Sequence, residues 1–296
     1  MAVARAAEYR TTRSANAALR RTLSRGLLYA IAIVLSAILM GPFVWGIISS
    51  LKPDNEIKLL PPVIFPSRWV PYNYVEVWTS KLFGIWTRNS ALIVVLATTG
   101  TVVSSALGGY SFARFRYPGR GILFGLTIAT IMMPDIVTLI PRFILFYQLG
   151  WLNTFLPLIV PYWFGTAFYI FLFRQFFMSV PTDMDEAAKI DGANYFQIFT
   201  RIVLPLSGPV VATVAIIAFI AHWDSFLFPL IILNDPNKFT VSIGLRWFAI
   251  SPSADARPLD HLLLAGSMMM TVPIMLLFFF GQRYFVRGVV MSGIKG

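Results

Sequence analysis

Six apolar stretches, each about as long as a bilayer is thick, constrain this chain more than any other feature. They run approximately over residues 26–50, 89–113, 122–146, 156–178, 209–233 and 262–284. A helix needs about 20 such residues to cross the hydrocarbon core. Inside lipid every backbone N–H and C=O must be paired within the protein, so stretches of this kind fold as helices. The expected fold class is therefore all-α: a polytopic membrane protein with about six transmembrane helices, in direct contact with the lipid bilayer. The composition agrees, with 57% hydrophobic and only 12% charged residues, far from the balance of a soluble domain.

Several function classes drop out. There is no cysteine, and the two histidines, His222 and His261, are far apart in sequence, so no thiolate or paired-histidine metal site is expected. No Ser/His/Asp or paired-carboxylate arrangement suggests a catalytic site. No G-x-x-x-x-G-K-[ST] phosphate loop occurs, so if ATP drives this protein the nucleotide binds another chain. The net charge of +11 is read as orientation signal in basic loops, with no nucleic-acid partner.

With six spans both termini share one side. That side holds fifteen Lys and Arg, among them Arg5, Arg10, Arg13, Arg20, Arg21 and Arg25, the loop trio Arg114, Arg116 and Arg120, and Arg283, Arg287 and Lys295 in the tail; the other side holds eight. The basic excess marks the cytoplasmic face. Residues 1–25 form a basic cytoplasmic tail, 26–88 the first helix with an outer connector, and 89–296 a core of five helices that includes a cytoplasmic loop, 179–208. The connector 51–88 carries Pro53, Pro61, Pro62, Pro66 and Pro71, which favour extended chain. Its Tyr74, Trp78 and Trp86 suit the outer membrane interface. The second outer connector, 234–261, has turn chemistry at Asn234-Asp235-Pro236 and Ser251-Pro252-Ser253 and is expected to project outward.

Polar groups inside the spans are few. Asp135 follows Pro134 in the third stretch, and Arg142 lies seven residues on. Intramembrane carboxylates are costly and mark candidate functional sites. Asp224 sits beside Trp223 and Phe226 in the fifth stretch; aromatic faces there can stack on a sugar and a carboxylate can bond its hydroxyls. These four residues, Asp135, Trp223, Asp224 and Phe226, are candidates for a solute path, and helix packing is the competing reading of each. Gly100, Gly108, Gly109, Gly121 and Gly125 suit close helix contacts.

The loop between the fourth and fifth stretches is ordered by its own chemistry. Pro181 fits a first helical turn, and Asp183, Asp185 and Glu186 place negative charge at the positive end of a helix dipole. Gly192 ends that helix or permits a close approach. A second apolar-periodic segment, 195–204, runs into Pro205.

Glu186-Ala187-Ala188, then Gly192, then Ile202 and Leu204-Pro205 resemble the EAA loop of permease subunits in binding-protein-dependent, ATP-driven importers: EAA, three residues, G, nine residues, I, one residue, LP. Asp191-Gly192-Ala193, Met133-Pro134, Ile140-Pro141, the segment Trp223–Pro229 and the ending 288–296 are similar to the carbohydrate branch, in particular the shorter permease of maltose-type transporters. Asp224 and Phe228 depart from the Asn and Trp usual in that branch. The resemblance implies a type I ABC importer permease fold in a prokaryotic inner membrane, with no chemistry and no cofactor of its own. It implies a second permease, two ATP-binding subunits and an extracytoplasmic sugar-binding protein as partners. Glu186, Ala187, Ala188, Asp191 and Gly192 would dock the ATPase, and the second outer connector would reach the binding protein. An importer for another solute, an ATP-independent secondary transporter and a membrane enzyme are the rival readings. The first is disfavoured by the carbohydrate-like segments, the second by the loop, and the third by the missing catalytic set.

Overall fold

The computed structural model describes residues 2–80, 82–250 and 259–292, with side chains described over 23–80, 82–246, 248–250 and 259–282. The N-terminal arginine cluster up to Arg21, the tail residues Arg283, Arg287 and Lys295, the 251–253 turn and the 288–296 ending lie outside the described side chains. Every regular element among the described residues is helical. The chain divides into two compact units, Met1–Val70 and Pro71–Gly296.

The first unit is built on one long helix, α1 (Ala2–Ser50). From Leu23 to Leu39 its large apolar side chains are exposed on every face, which suits a helix surrounded by lipid. The connector behind it is compact, not extended as its prolines suggested. It contains a short helix, α2 (Asp54–Ile57), and Val70 N donates to Leu51 O at 2.8 Å. Buried Lys52 donates through Nζ to Val63 O at 2.6 Å and lies 4.1 Å from the Trp45 ring centroid. The Glu56 carboxylate accepts from both the backbone N–H and the hydroxyl of Ser67. Two ionic side chains folded back onto the backbone satisfy carbonyls and N–H groups that no regular ladder reaches.

The second unit opens with α3 (Tyr72–Thr79), begun by Pro71 in helical conformation, and is organised around α4 (Phe83–Arg114). At 32 residues α4 is about 48 Å long, so it outruns the hydrocarbon core and starts six residues before the expected span. Small residues make it the central helix. A Cβ on Gly109 would lie 2.5 Å from Phe173 Cβ and 3.1 Å from Ile170 O, and one on Gly100 would meet the Trp163 ring. Only hydrogen side chains allow those approaches. Gly121 and Gly125, also expected at helix contacts, have nothing within 4 Å of a built Cβ.

The third apolar stretch is not one straight span. It is α5 (Arg120–Ile131) and α6 (Asp135–Gln148), bent by 100°. Pro134 has extended backbone, with ψ of 135°, and no N–H to continue a helix. The fourth stretch is α7 (Leu156–Ile159), a 3₁₀ turn (Val160–Phe164) and α8 (Ala167–Ser179). Then come α9 (Asp183–Ile190), α10 (Tyr195–Ile198), a wider π-helical turn (Phe199–Val203) and α11 (Leu204–Leu206). An 80° bend leads into α12 (Gly208–Trp223); the fifth stretch stops as a helix at Trp223 and resumes as α13 (Leu227–Ile232). After α14 (Val241–Ala249), α15 (Asp260–Ser292) closes the chain. Among the described residues four helices are long and apolar enough to cross a membrane, or up to six if each bent pair is one span.

The second outer connector does not project over its described part. Val241, Ile243, Leu245 and Phe248 of α14 are buried, and α14 packs on α4 and α15. Trp86, expected at the membrane interface, is instead 1% exposed, meets Phe248 edge-on at 5.9 Å and donates Nε1–H to Pro236 O at 2.8 Å. A tryptophan with one apolar body and one donor suits an interface and a core equally well.

Candidate functional site

The α9–α11 segment combines a charged helix, a glycine stop, a capping box and a π turn within one stretch of chain. Residues Asp183, Asp185 and Glu186 occupy the first turn of α9 and Lys189 its last, each charge complementing the helix dipole. Pro181 lies just ahead of the cap residue Thr182, not within the first turn. The helix ends in a Schellman motif: Gly192 N donates to Lys189 O at 3.0 Å and Ala193 N to Ala188 O at 2.9 Å. Gly192 has φ of 83°, a conformation that strains any residue with a Cβ. Asn194 and Gln197 then form a reciprocal capping box that starts α10. Pro205 has no N–H for the preceding turn, and the widened π turn sits directly before it.

This segment has an inward and an outward face. Asp185 and Ala188 are the buried residues of α9, and Ala188 joins Tyr110, Phe173, Phe177, Ile198, Phe199 and Val203 in one apolar core. Ala188, expected on the docking face, therefore points into its own chain. Glu186, Ala187, Asp191 and Gly192 are exposed. So are the apolar side chains of Met184, Ile190, Tyr195 and Phe196, with Ile190 at 87%. Exposed apolar side chains gathered around a carboxylate make a surface suited to another protein.

The inward face is pinned by charge. Arg114, the last residue of α4, reaches Asp185 with Nε to Oδ2 at 3.0 Å, both side chains under a tenth exposed. The same guanidinium donates Nη2–H to Val180 O at 2.9 Å. Tyr110 adds a long hydrogen bond from its hydroxyl to Tyr195 O at 3.5 Å. Residue order does not reveal this pairing: Arg114 reads as an orientation charge and Asp185 as a dipole charge. A cation at the end of one apolar stretch and an acid beside Glu186 are the available signals, and neither names its partner.

A second polar feature lies at the α5–α6 bend. A recess of about 480 Å³ is lined by Thr130, Met133, Asp135, Thr138, Pro141, Arg142 and Leu145. The Asp135 side chain is 98% exposed and 3.9 Å from Arg142 Nη1. Arg142 also stands 4.5 Å from the Phe228 ring centroid, linking α6 to α13. The other candidates do not join Asp135. Trp223 is buried, stacks on Phe219 at 5.8 Å and donates Nε1–H to Met270 O at 3.0 Å, which fastens α12 to α15. Asp224 is exposed just past the end of α12, and Phe226 is half-exposed near Arg246; neither lines the recess. A further polar contact, absent from the sequence reading, joins three elements: the His222 ring lies 4.2 Å from that of Tyr162, and its Nε2 is 3.3 Å from Thr101 Oγ1.

The chain is similar to known proteins over most of its length. Residues 100–291 match the family described as binding-protein-dependent transport system inner membrane component. The chain is 33% identical over 253 residues to the arabinooligosaccharides transport system permease protein AraQ of Halalkalibacterium halodurans, covering 84% of this chain and 89% of that one. It is 31% identical over 291 residues to the maltodextrin transport system permease protein MdxG of Bacillus subtilis, covering 95% and 100%. A solved bacterial ABC transporter involved in the import of the acidic polysaccharide alginate contains a chain of the same fold, with a TM-score of 0.78, 21% identity, and 88% and 96% covered.

Proposed function

The chain belongs to the family of binding-protein-dependent transport system inner membrane components, and from that premise we propose that it is the permease of an ATP-driven sugar importer whose α9–α11 segment receives the motion of a separate ATPase. It is a transport subunit, not an enzyme. The reading of sugar as solute is supported by the relatives' names, an arabinooligosaccharide and a maltodextrin system. The proposed assembly holds a second permease, two ATP-binding subunits and an extracytoplasmic sugar-binding protein, with both termini of this chain cytoplasmic. ATP binds the partner subunits.

One observation carries the coupling role. The α9 helix is locked to its own chain on one side and presents Glu186, Ala187, Met184 and Ile190 on the other. A rigid, two-faced helix beside a membrane span is what alternating access requires, since motion imposed on one face must reach the span without being absorbed. Glu186 offers a carboxylate to a basic partner residue, Asp191 extends that acidic rim, and Gly192 turns the chain away. Asp135, with the recess around it, is the proposed polar point on the solute path. Asp224 and Phe226 are accessible enough to join it in another state of the cycle, while Trp223 is assigned to packing.

The test is the complete complex reconstituted in proteoliposomes, with radiolabelled maltotriose and arabinotriose as solutes and ATP inside. Glu186→Lys is expected to leave assembly intact and cut solute moved per ATP hydrolysed by at least about tenfold, the factor set by losing about 1.4 kcal/mol of coupling. Full coupling in that variant sinks the docking role. If the sugar-binding protein takes neither trisaccharide in calorimetry while taking another solute class, the sugar reading falls and the importer reading stands.

A further inference from the structure

We propose that Arg114 and Asp185 are a positioning pair that makes the coupling segment and α4 move as one body. On this view the ATPase's motion enters the membrane through α4, and not only through α8 and α12, the two helices covalently joined to the segment. The inference rests on the coupling role proposed above.

Three observations carry it. The first is how little else holds α9. Its buried residues are Asp185 and Ala188, and an alanine offers little surface to grip. Gly192, where the chain leaves, has no neighbour within 4 Å of a built Cβ. Beside Ala188 in the apolar core and Lys189 over the Tyr195 ring, the ion pair is the charged attachment of α9 to α4.

The second is where the attachment leads. Arg114 is the terminal residue of α4 and its guanidinium spans two elements, taking Asp185 of α9 with one nitrogen and Val180 O, in the link from α8, with another. The hydrogen bond to Val180 O fixes the direction of the planar guanidinium, and the charge contact fixes its distance to Asp185. Tyr110, one turn earlier on α4, meets Phe199 at 4.9 Å and Phe177 at 6.2 Å between ring centroids. The same end of α4 therefore touches α8, α9 and the π turn, and through the long Tyr110–Tyr195 hydrogen bond also α10.

The third is what α4 touches. It packs on α8, α12, α14 and the 3₁₀ turn at Val160–Phe164, so displacing its Arg114 end displaces the centre of the second unit. Asp185 Oδ1 is buried without a hydrogen-bond partner. Arg114 Nε is likewise without a hydrogen bond, so the pair is a close charge contact at 3.0 Å, and losing the arginine leaves the buried carboxylate with no opposite charge beside it.

The chain has no cysteine, so spin labels can be placed at will. Leu107→Cys on α4 and Asp183→Cys on α9 are labelled in the assembled complex with cysteine-free partners, and the distance is measured by pulsed electron resonance without nucleotide and with ATP plus vanadate. The mean distance is expected to agree between the two states within about 2 Å, the scale of a packed helix shift, while either Arg114→Met or Asp185→Asn lets it change by about 5 Å, one helical turn. The exchange Arg114→Asp with Asp185→Arg is expected to restore the narrow, state-independent distance. A distance that already changes between states without these substitutions overturns the proposal, as does one that stays fixed in both single variants. Where a single variant fails to assemble, the unsubstituted labelled pair and the charge exchange still decide. If Glu186→Lys fails to uncouple transport, the coupling role falls; if it uncouples while Arg114→Met leaves the distance fixed, only the positioning pair falls.

Discussion

The two ends of α4 each hold a loop, and they do so by different chemistry. At the Phe83 end the grip is neutral. Trp86 buries its ring against Phe248 and donates to Pro236 O, Asn89 donates to Asn237 O and Phe239 O, and Ser90 Oγ accepts from Val241 N at 2.8 Å. At the Arg114 end the grip is a buried ion pair in which Arg114 Nε and Asp185 Oδ1 both lack a hydrogen bond. Large aromatic burial is stabilising and permits one arrangement. A buried charge pair adds little net stability, because desolvation offsets the attraction, but it penalises any arrangement that separates the charges. The first kind of contact suits a fixed scaffold. The second suits a joint that must stay closed while its surroundings are pushed.

The largest effect is expected where the neutral grip is broken. Trp86→Ala removes a fully buried ring and an indole hydrogen bond, and is expected to lower stability by about 3–5 kcal/mol, read as a fall in the unfolding temperature of the detergent-solubilised complex. The 107–183 distance should not respond, because the substitution lies at the other end of a rigid helix. A nucleotide-dependent 107–183 distance in Trp86→Ala would show that the two ends are not independent. Asn89→Ala should be milder. It removes two side-chain bonds to backbone carbonyls at a partly exposed site, for a cost of about 1–2 kcal/mol in the same unfolding measurement. A loss as large as that of Trp86→Ala would mean that hydrogen bonding, not ring burial, holds this end.

The contrast also explains what could be read from residue order. Hydropathy marks all six stretches, because lipid accepts only paired backbone. The break at Pro134 is legible as a proline, but its 100° bend is not, since proline removes a donor without setting a direction. The α9 helix, its acidic first turn and its stop at Gly192 are legible because each depends on neighbours in sequence. The two ends of α4 were not, because each depends on pairing over long separations. Trp86 meets Pro236 and Arg114 meets Asp185, and nothing near any of these residues names the other. Trp86 and Trp223 share one ambiguity, since an indole with a single donor looks alike at an interface, in a solute path and in a core; both are packed inside the second unit, which for Trp223 is the competing packing reading. Ala188 is buried in its own chain, a placement residue order does not give, because a small side chain serves close packing on either side of a helix.

The smallest expected change in stability is the sharpest test of the contrast. Arg114→Met together with Asp185→Leu replaces the ion pair by apolar groups of similar reach, making the Arg114 end resemble the Phe83 end. Buried pairs replaced in this way are often neutral in stability, so unfolding of the complex should move by no more than about 1 kcal/mol. The loss of the Val180 contact is the main remaining cost. Methionine and leucine attract without fixing direction. The 107–183 distance is therefore expected to broaden in the ATP-bound state although the protein is as stable as before. A narrow distance in this double variant would mean that packing alone positions α9, and the two ends of α4 would then differ in composition but not in kind. A broad one separates the two properties in a single protein: burial sets how strongly α4 holds its loops, and paired charge sets how faithfully the Arg114 end follows the motion imposed on it.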